Sequence, residues 1–250
     1  MTLNGKHALV SGGGTGIGLA IARALAAEGA QVTITGRRQE VLDQVSGDGL
    51  SGLAMDVRDE ADVIAKTEAA VQARGPIQIC VPNAGIAEGR ALHNTSLAFW
   101  RDMMATNLDG AFLTIRESLK SMHQCDWGRV TAVASMAGLK GLPGGACYSA
   151  SKHGMVGLIR SLSEDFITKP ITFNALCPAY VDTDIITRNT ETIAKRAGLS
   201  HDKALAVMVN SNRHKRLIAP EEVAAAALWL VRPGSESING QSIEIAGGQL

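Results

Sequence analysis

Short runs of apolar and β-branched residues alternate with longer amphipathic segments along this chain of 250 residues. The first unit shows the pattern. Residues 7–10 form an apolar run, residues 16–28 carry apolar side chains at helical spacing, and residues 31–35 are rich in β-branched side chains. A strand, a helix and a second strand in this order form a crossover unit, which favours parallel strands. The chain therefore predicts a parallel sheet covered by helices on both faces.

The same alternation continues towards the C-terminus. The predicted strand segments are short continuous apolar runs, as expected for strands that are buried on both sides. No linker, repeat or low-complexity tract interrupts them, so we predict a single α/β domain over residues 1–250. Further strands are predicted at 50–56, 77–81, 129–135, 171–177 and 242–246, and further helices at 60–74, 99–122, 148–166 and 220–231.

The charge and cysteine content exclude several classes of protein. The 24 Lys and Arg residues balance 24 Asp and Glu residues, so no basic excess is available to bind nucleic acid. The uncharged stretch 8–22 is rich in glycine and shorter than the roughly 18 residues of a membrane span, and no secretory signal is evident. We expect a reduced, cytoplasmic protein, because its cysteines match no CxxC or zinc-ligand spacing. These cysteines are Cys80, Cys125, Cys147 and Cys177.

Residues 184–218 depart from the alternation. They are polar, and the sequence predicts several short helical segments rather than one helix. They follow a strand end at the carboxyl edge of the sheet, where open α/β sheets bind ligands, so we predict a helical substrate lid. A positively charged wall there would attract an anionic substrate, whereas a solvated helical face or a subunit contact is the alternative. The basic residues are Arg188, Lys195, Arg196, Lys203, Arg213, Lys215 and Arg216, against the acids Asp184, Glu191 and Asp202.

A glycine-rich loop, residues 11–18, joins the first predicted strand to the first predicted helix. Glycines let the backbone turn tightly and approach a pyrophosphate, and the amide groups of a helix N-terminus supply partial positive charge. A glycine-rich turn without a ligand is the alternative, but the position between strand and helix favours a dinucleotide site. The predicted contacts are Gly12, Gly14, Thr15, Gly16, Ile17 and Gly18, of which Gly12, Gly16 and Gly18 matter most.

The second predicted strand ends in Thr35-Gly36-Arg37-Arg38, without an acidic side chain. An acid there would bind the ribose diol of NAD, so its absence disfavours NAD. Arg37, with Arg38 beside it, can instead pair with a 2′-phosphate. We therefore predict NADP(H), with NAD(H) as the alternative. The competing interpretation is that both arginines only solvate the start of a helix.

A phenol and an ammonium group are spaced for one face of a predicted helix. In Tyr148-Ser-Ala-Ser-Lys152 they stand at positions i and i+4, which are neighbours on a helix surface. An ammonium group beside a phenol favours the phenolate and should lower a pKa that starts near 10. We therefore predict that Tyr148 acts as an acid or base near neutral pH.

These residues and several others resemble the short-chain dehydrogenase/reductase family over essentially the whole chain. The glycine loop is similar to the family's cofactor fingerprint, and 83–85, Asn-Ala-Gly, looks like its cofactor-supporting turn. Asn107 and Ser135 complete, with Tyr148 and Lys152, what looks like its Asn-Ser-Tyr-Lys tetrad. The resemblance implies a doubly wound Rossmann sheet, NAD(H) or NADP(H), and a homodimer or homotetramer.

The resemblance also implies the role of each residue in the tetrad. Tyr148 would exchange a proton with the substrate oxygen, and Ser135 would hydrogen-bond the same oxygen. Lys152 would hold the nicotinamide ribose and depress the tyrosine pKa, while Asn107 would position water and backbone for a proton relay. Ser11 departs from the family's usual threonine and Ala179 from its usual glycine. Asp56 and Val57 stand where the family places an adenine contact. The other implied cofactor contacts are Asn83, Ala84, Gly85, Pro178, Val181 and Thr183.

We therefore expect an oxidoreductase that transfers a hydride between a nicotinamide cofactor and a ketone or secondary alcohol. The charge of residues 184–218 favours a 3-oxoacyl thioester or the matching 3-hydroxyacyl-CoA. The alternatives are a neutral ketone or alcohol, or a hydroxyacid with NAD. A catalytically silent dinucleotide-binding sensor or scaffold is the alternative of another class, and the intact pair Tyr148 and Lys152 argues against it. Neither a metal nor a membrane partner is expected.

Overall fold

The computed structural model describes residues 2–248, without the side chains of residues 196 and 197. The first and the last two residues of the predicted domain 1–250 lie outside this range. Its strands form one sheet in the order β3-β2-β1-β4-β5-β6-β7, and every neighbouring pair is parallel. The predicted doubly wound parallel sheet is confirmed. The strands are β1 His7–Ser11, β2 Gln31–Gly36, β3 Leu50–Ala54, β4 Ile77–Val81, β5 Gly128–Val133, β6 Ile171–Pro178 and β7 Ser242–Ile245.

Helices connect successive strands and cover both faces of the sheet. Several boundaries differ from the predictions by one or two residues; for example, β3 ends at Ala54 rather than at residue 56, and β5 ends at Val133 rather than at residue 135. A short helix after β2 was not predicted. The helices are α1 Gly16–Ala27, α2 Gln39–Val45, α3 Glu60–Arg74, α4 Leu97–Met104, α5 Gly110–Met122, α6 Ala146–Asp165, α7 Asp184–Ala197, α8 His201–Ser211 and α9 Pro220–Val231.

The single helix predicted over 99–122 is two helices joined by a π-helical turn. The turn, Ala105–Asp109, separates α4 from α5 and contains Asn107. Periodicity alone predicts one helix, because a π turn inserts one residue without breaking the helical path. Such turns occur often at functional sites, and this one lies next to the cleft described below.

The sheet is buried on both faces, and β1 shows this directly. Ala8 and Val10 belong to the apolar cluster beneath α1 and α9, whereas Leu9 belongs to the cluster beneath α5 and α6. Successive strand side chains point to opposite faces, so continuous apolar strands require helices on both sides. Within residues 2–248, no helix is both long and apolar enough to cross a membrane.

His7 should make stability depend on pH. Its buried ring donates from Nδ1 to the Gly75 carbonyl at 2.8 Å and accepts at Nε2 from the Thr33 hydroxyl at 2.9 Å. Burial lowers the His7 pKa below its ordinary 6.5, so the unfolded chain binds the proton more readily. The free energy of unfolding should therefore fall as the pH drops below 6.5, by at most about 1.4 kcal/mol per pH unit.

Urea unfolding between pH 7 and pH 5 measures this dependence. The variant His7→Gln keeps a donor and an acceptor but does not titrate, so its stability should change less over the same range. Equal pH slopes in the two proteins would contradict the prediction.

Candidate active site

The candidate site lies at the carboxyl edge of the sheet, where the strand order reverses between β1 and β4. Loops that follow neighbouring strands separate at such a point and leave a crevice. Two adjoining cavities occupy it, one of about 450 Å³ and one of about 290 Å³. Both are lined by Gly12 and Thr15 from the loop after β1, and by Ala84, Gly85 and Ile86 from the loop after β4.

The glycine loop leaves space where side chains would otherwise stand. Gly12 and Gly16 have left-handed φ angles of +63° and +52°, which glycine adopts without strain. A Cβ at Gly12 would lie 2.9 Å from the Ala84 Cα, and one at Gly18 would lie 2.3 Å from the Gly12 carbonyl oxygen. The loop is thus open towards the cavities and closely packed behind them, which fits a bound pyrophosphate.

Ser11 and Asn83 tie the loops after β1 and β4 together. The Ser11 hydroxyl accepts from the backbone N–H groups of Asn83 and Ala84, at 3.0 and 3.1 Å. The Asn83 amide donates to the carbonyls of Ser11 and Gly12, at 3.0 and 3.1 Å. A serine hydroxyl can accept these bonds as well as a threonine hydroxyl can. The departure at Ser11 therefore leaves the loop geometry intact.

The smaller cavity has a charged lining. Arg37 and Arg38, at the end of β2, line it together with Asp56 and Val57, which follow β3. Arg58 also lines this cavity and forms a bidentate ion pair with Asp56. Hydrogen bonds from Arg58 lower the pKa of the Asp56 carboxyl. Arg58 was not predicted from the sequence, because the motif that indicated Asp56 and Val57 ends before it.

Asn107 lies behind the cavity wall rather than in it. It is fully buried in the π turn, and its Oδ1 accepts from the Ile86 N–H at 2.8 Å. Its Nδ2 donates to the Ile86 carbonyl at 2.9 Å and to the Ser151 hydroxyl at 3.1 Å. Asn107 thereby fixes the loop after β4 against α6, and Ser151 is a supporting residue that sequence reasoning missed.

Ser135, Tyr148 and Lys152 meet in the larger cavity. Ser135 follows β5, and Tyr148 and Lys152 stand one turn apart on α6. The hydroxyls of Ser135 and Tyr148 share a hydrogen bond. The Lys152 Nζ lies 5.9 Å from the centroid of the Tyr148 ring and donates to the Val133 carbonyl at 2.8 Å.

The predicted lowering of the Tyr148 pKa is wrong for this structure. Burial raises the Tyr148 pKa above its ordinary value, and the hydrogen bond from Ser135 opposes this only in part. Burial also lowers the pKa of Lys152 to about 8, because it disfavours the charged ammonium form. At neutral pH Tyr148 is a protonated phenol, as an unshifted tyrosine would also be, and in this state it can donate a proton to a substrate oxygen.

The chain has two tyrosines, and both line the larger cavity. Tyr180 follows β6, and its hydroxyl shares a hydrogen bond with Ser211 at the end of α8. Asn212 holds the Tyr180 backbone, accepting from its N–H at 3.3 Å and donating to its carbonyl at 3.0 Å. Sequence reasoning named this segment but missed Tyr180, which has no motif of its own.

The segment 184–218 contains α7 and α8, and one face of α7 lines the larger cavity. Of its basic side chains within the described part of the chain, only Arg188 lines that cavity. Arg216 instead pairs with Glu222, at 2.6 and 2.8 Å. Among the basic side chains that the structure describes, the predicted positive wall is thus reduced to one arginine, because the others are exposed and do not line the cavity. The side chain of Arg196 lies outside the described residues.

The structure brings nearly all the predicted site residues to the two cavities. Gly18 and Asn107 are the exceptions, since each packs behind the lining. The larger cavity is lined by Gly12, Thr15, Gly16, Ile17, Asn83, Ala84, Gly85, Ser135, Tyr148, Lys152, Pro178, Val181 and Thr183. The smaller one is lined by Gly12, Gly14, Thr15, Arg37, Arg38, Asp56, Val57, Ala84 and Gly85.

The chain belongs to the short chain dehydrogenase family, whose profile matches residues 6–194. It is 32% identical to a D-beta-hydroxybutyrate dehydrogenase of Cupriavidus necator, over 98% of each chain. It is also 32% identical to a 3-oxoacyl-(acyl-carrier-protein) reductase of Vibrio cholerae, over 99% of this chain and 98% of the relative.

A solved structure shares both the fold and the sequence pattern. It is a single-residue variant of the actinorhodin polyketide ketoreductase with NADPH, 33% identical, with a TM-score of 0.94. The match covers 98% of this chain and 97% of that chain. The family resemblance is confirmed, and the protein is an oxidoreductase that uses a nicotinamide cofactor to interconvert ketones and secondary alcohols.

Proposed function

We propose that the protein is an NADP(H)-dependent reductase of 3-oxoacyl thioesters. The observation that carries the proposal is the lining of the larger cavity. Tyr148 and Ser135 line it together with Arg188 and the apolar Ile193 of α7. A reactive ketone joined to an apolar chain and an anionic group matches that lining. The names of the relatives, which include a 3-oxoacyl reductase and a polyketide ketoreductase, support the same substrate class.

The residues at the cavity fit the proton chemistry of reduction. Tyr148, protonated at neutral pH, is placed to donate a proton to the substrate oxygen, and Ser135 to hydrogen-bond that oxygen. Lys152 would hold the ribose hydroxyls next to the nicotinamide, and Asn107 would fix the loop on which the cofactor rests. When bound, the nicotinamide supplies the hydride. The glycine loop and residues 178–183 would hold the remainder of the cofactor.

The variant Arg37→Ala should weaken NADPH binding by about tenfold or more and leave NADH binding nearly unchanged. A charge-assisted pair with a 2′-phosphate contributes about 1.5–3 kcal/mol, and NADH has no such group. Isothermal titration with both cofactors measures the ratio of dissociation constants. Equal losses for the two cofactors would refute the role of Arg37 in binding the 2′-phosphate.

Substrate class is tested by comparing acetoacetyl-CoA with neutral ketones under the same conditions. We expect a higher kcat/KM for acetoacetyl-CoA, and the variant Arg188→Ala should lower this preference about tenfold by removing one charge-assisted contact. Lys195→Ala is the matched control, because Lys195 is exposed on the same helix and does not line the cavity. No preference for the anionic thioester would contradict the proposed substrate.

Small hydroxyacids are the second candidate substrates. A single arginine beside the reacting groups would suit a short carboxylate, and one relative is named a D-beta-hydroxybutyrate dehydrogenase. Oxidation of D-β-hydroxybutyrate with NAD, at a rate above that of thioester reduction, would favour this reading over the first.

We further propose that α7 and α8 act as a lid and that the enzyme is a cytoplasmic homo-oligomer, a homodimer or homotetramer. Free thiols throughout the described chain support a reducing compartment. Exposed apolar side chains on α4, α5 and α9 support self-association: Leu97 is 61% exposed, Phe112 44% and Trp229 48%. Sedimentation equilibrium measures the assembly, and a monomer at micromolar concentration would contradict it.

A further inference from the structure

Arg58 is held rigidly at the smaller cavity by two carboxylates. Its Nε and Nη2 donate to Asp56 at 3.0 and 2.7 Å, and its Nη1 donates to Asp102 on α4 at 3.1 Å. Its backbone N–H also donates to Asp56, at 3.0 Å. A guanidinium that donates from all three of its nitrogens to two carboxylates has fewer orientations open to its plane.

These contacts leave Asp56 little capacity for another donor. A carboxylate offers about four acceptor sites. Here Oδ1 accepts from the Arg58 backbone and Nε, while Oδ2 accepts from Nη2 and, at 3.2 Å, from Nε. Asp56 is the residue that the family resemblance places at the adenine. Its carboxylate is already bound by Arg58, so a different group must contact the adenine base.

Charge separates the roles of the three arginines at this cavity. Arg58 is neutralised by Asp56 and Asp102, whereas Arg37 and Arg38 form no ion pair within residues 2–248. Cations without an ion pair are available to a phosphate, whereas the N–H edges of Arg58 are occupied and its flat face is the part that remains to stack on an aromatic base.

We propose that the adenine of the cofactor stacks on the guanidinium of Arg58, which Asp56 and Asp102 hold in place. The inference rests on the proposed function only in that a nicotinamide dinucleotide fills both cavities, and it assumes nothing about the carbonyl substrate. Arg58 would then be an affinity residue shared by NADPH and NADH, and Arg37 would be the residue that distinguishes them.

Arg58→Ala and Arg58→Lys test the stacking, with dissociation constants measured for NADPH, NADH and ADP. A guanidinium over an aromatic ring contributes about 2- to 30-fold in affinity, so we expect Arg58→Ala to weaken all three ligands about tenfold. Arg58→Lys should weaken them equally, because lysine keeps the charge and loses the plane. Asp102→Asn, which removes one of the two anchors, should cause a smaller loss of the same kind.

Three results would overturn the inference. Recovery of affinity in Arg58→Lys would show that charge alone matters. A loss confined to NADPH would make Arg58 a phosphate ligand, and unchanged affinities would remove it from the site. Because ADP carries the adenine without the nicotinamide or the 2′-phosphate, its result decides the inference whichever cofactor the enzyme prefers. Thermal unfolding of each variant confirms that it is folded. If Arg58→Ala does not fold, Arg58→Lys carries the test.

Discussion

The variant Tyr148→Phe should lose about 10²–10⁴-fold in kcat for carbonyl reduction, the range attributed to a positioned general acid. The phenol is protonated at neutral pH, since its ordinary pKa of about 10 already lies above 7 and burial raises that pKa further, and it shares a hydrogen bond with Ser135 at the cavity. Phenylalanine keeps the ring and removes the transferable proton. Cofactor affinity should stay within about twofold, since the contacts of Lys152 and of the glycine loop are unaltered.

The second tyrosine of the cavity provides the matched control. Tyr180→Phe removes a hydroxyl that is bonded to Ser211 and is not bonded to Ser135, so we expect a change in KM larger than any change in kcat. Single-turnover reduction, followed by the absorbance of the nicotinamide, separates the chemical step from product release. Equal losses of kcat in the two variants would contradict the assignment of Tyr148 as the proton donor.

The sheet could be predicted because its evidence is local. Each strand is a short apolar run, and each flanking helix carries its own periodic face, so neither depends on distant residues. The glycine loop was predictable for the same reason, because the constraint at Gly12 comes from the turn itself. The tetrad was found through spacing within Tyr148-Ser-Ala-Ser-Lys152 and through family resemblance, since Ser135 and Asn107 carry no signal alone.

The remaining features depend on contacts between segments that are far apart in the chain. The π turn at Asn107 is stabilised by hydrogen bonds to Ile86 and Ser151. The helical periodicity of residues 99–122 gives no sign of this turn. Arg58 reaches Asp102, 44 residues away, and Tyr180 reaches Ser211 on α8. The predicted direction of the Tyr148 pKa shift was wrong because the sequence shows the spacing between Tyr148 and Lys152 but does not show that both groups are buried.

Gly18→Ala and Gly157→Ala should have opposite effects on stability, although both glycines lie within helices. A Cβ at Gly18 would lie 2.3 Å from the Gly12 carbonyl oxygen and 2.4 Å from the Asn83 Nδ2. The loops after β1 and β4 must therefore move apart, and overpacking of this kind costs about 1–3 kcal/mol or more. At Gly157, on α6, a Cβ meets nothing within 4 Å, so alanine should stabilise the helix by up to about 1 kcal/mol.

Urea unfolding measures both changes, and adding NADPH separates stability from binding. A cofactor that binds the folded state stabilises it by an amount that rises with the logarithm of its affinity. It should therefore raise the stability of Gly157→Ala as much as that of the unaltered protein, and raise that of Gly18→Ala much less. The bonds that Asn83 makes to the carbonyls of Ser11 and Gly12 are the contacts displaced, so the loss should appear in binding as well as in folding. A Gly18→Ala protein that unfolds and binds NADPH like the unaltered one would mean that the loop yields without cost, and the fit of the glycine loop to a pyrophosphate would lose its physical basis.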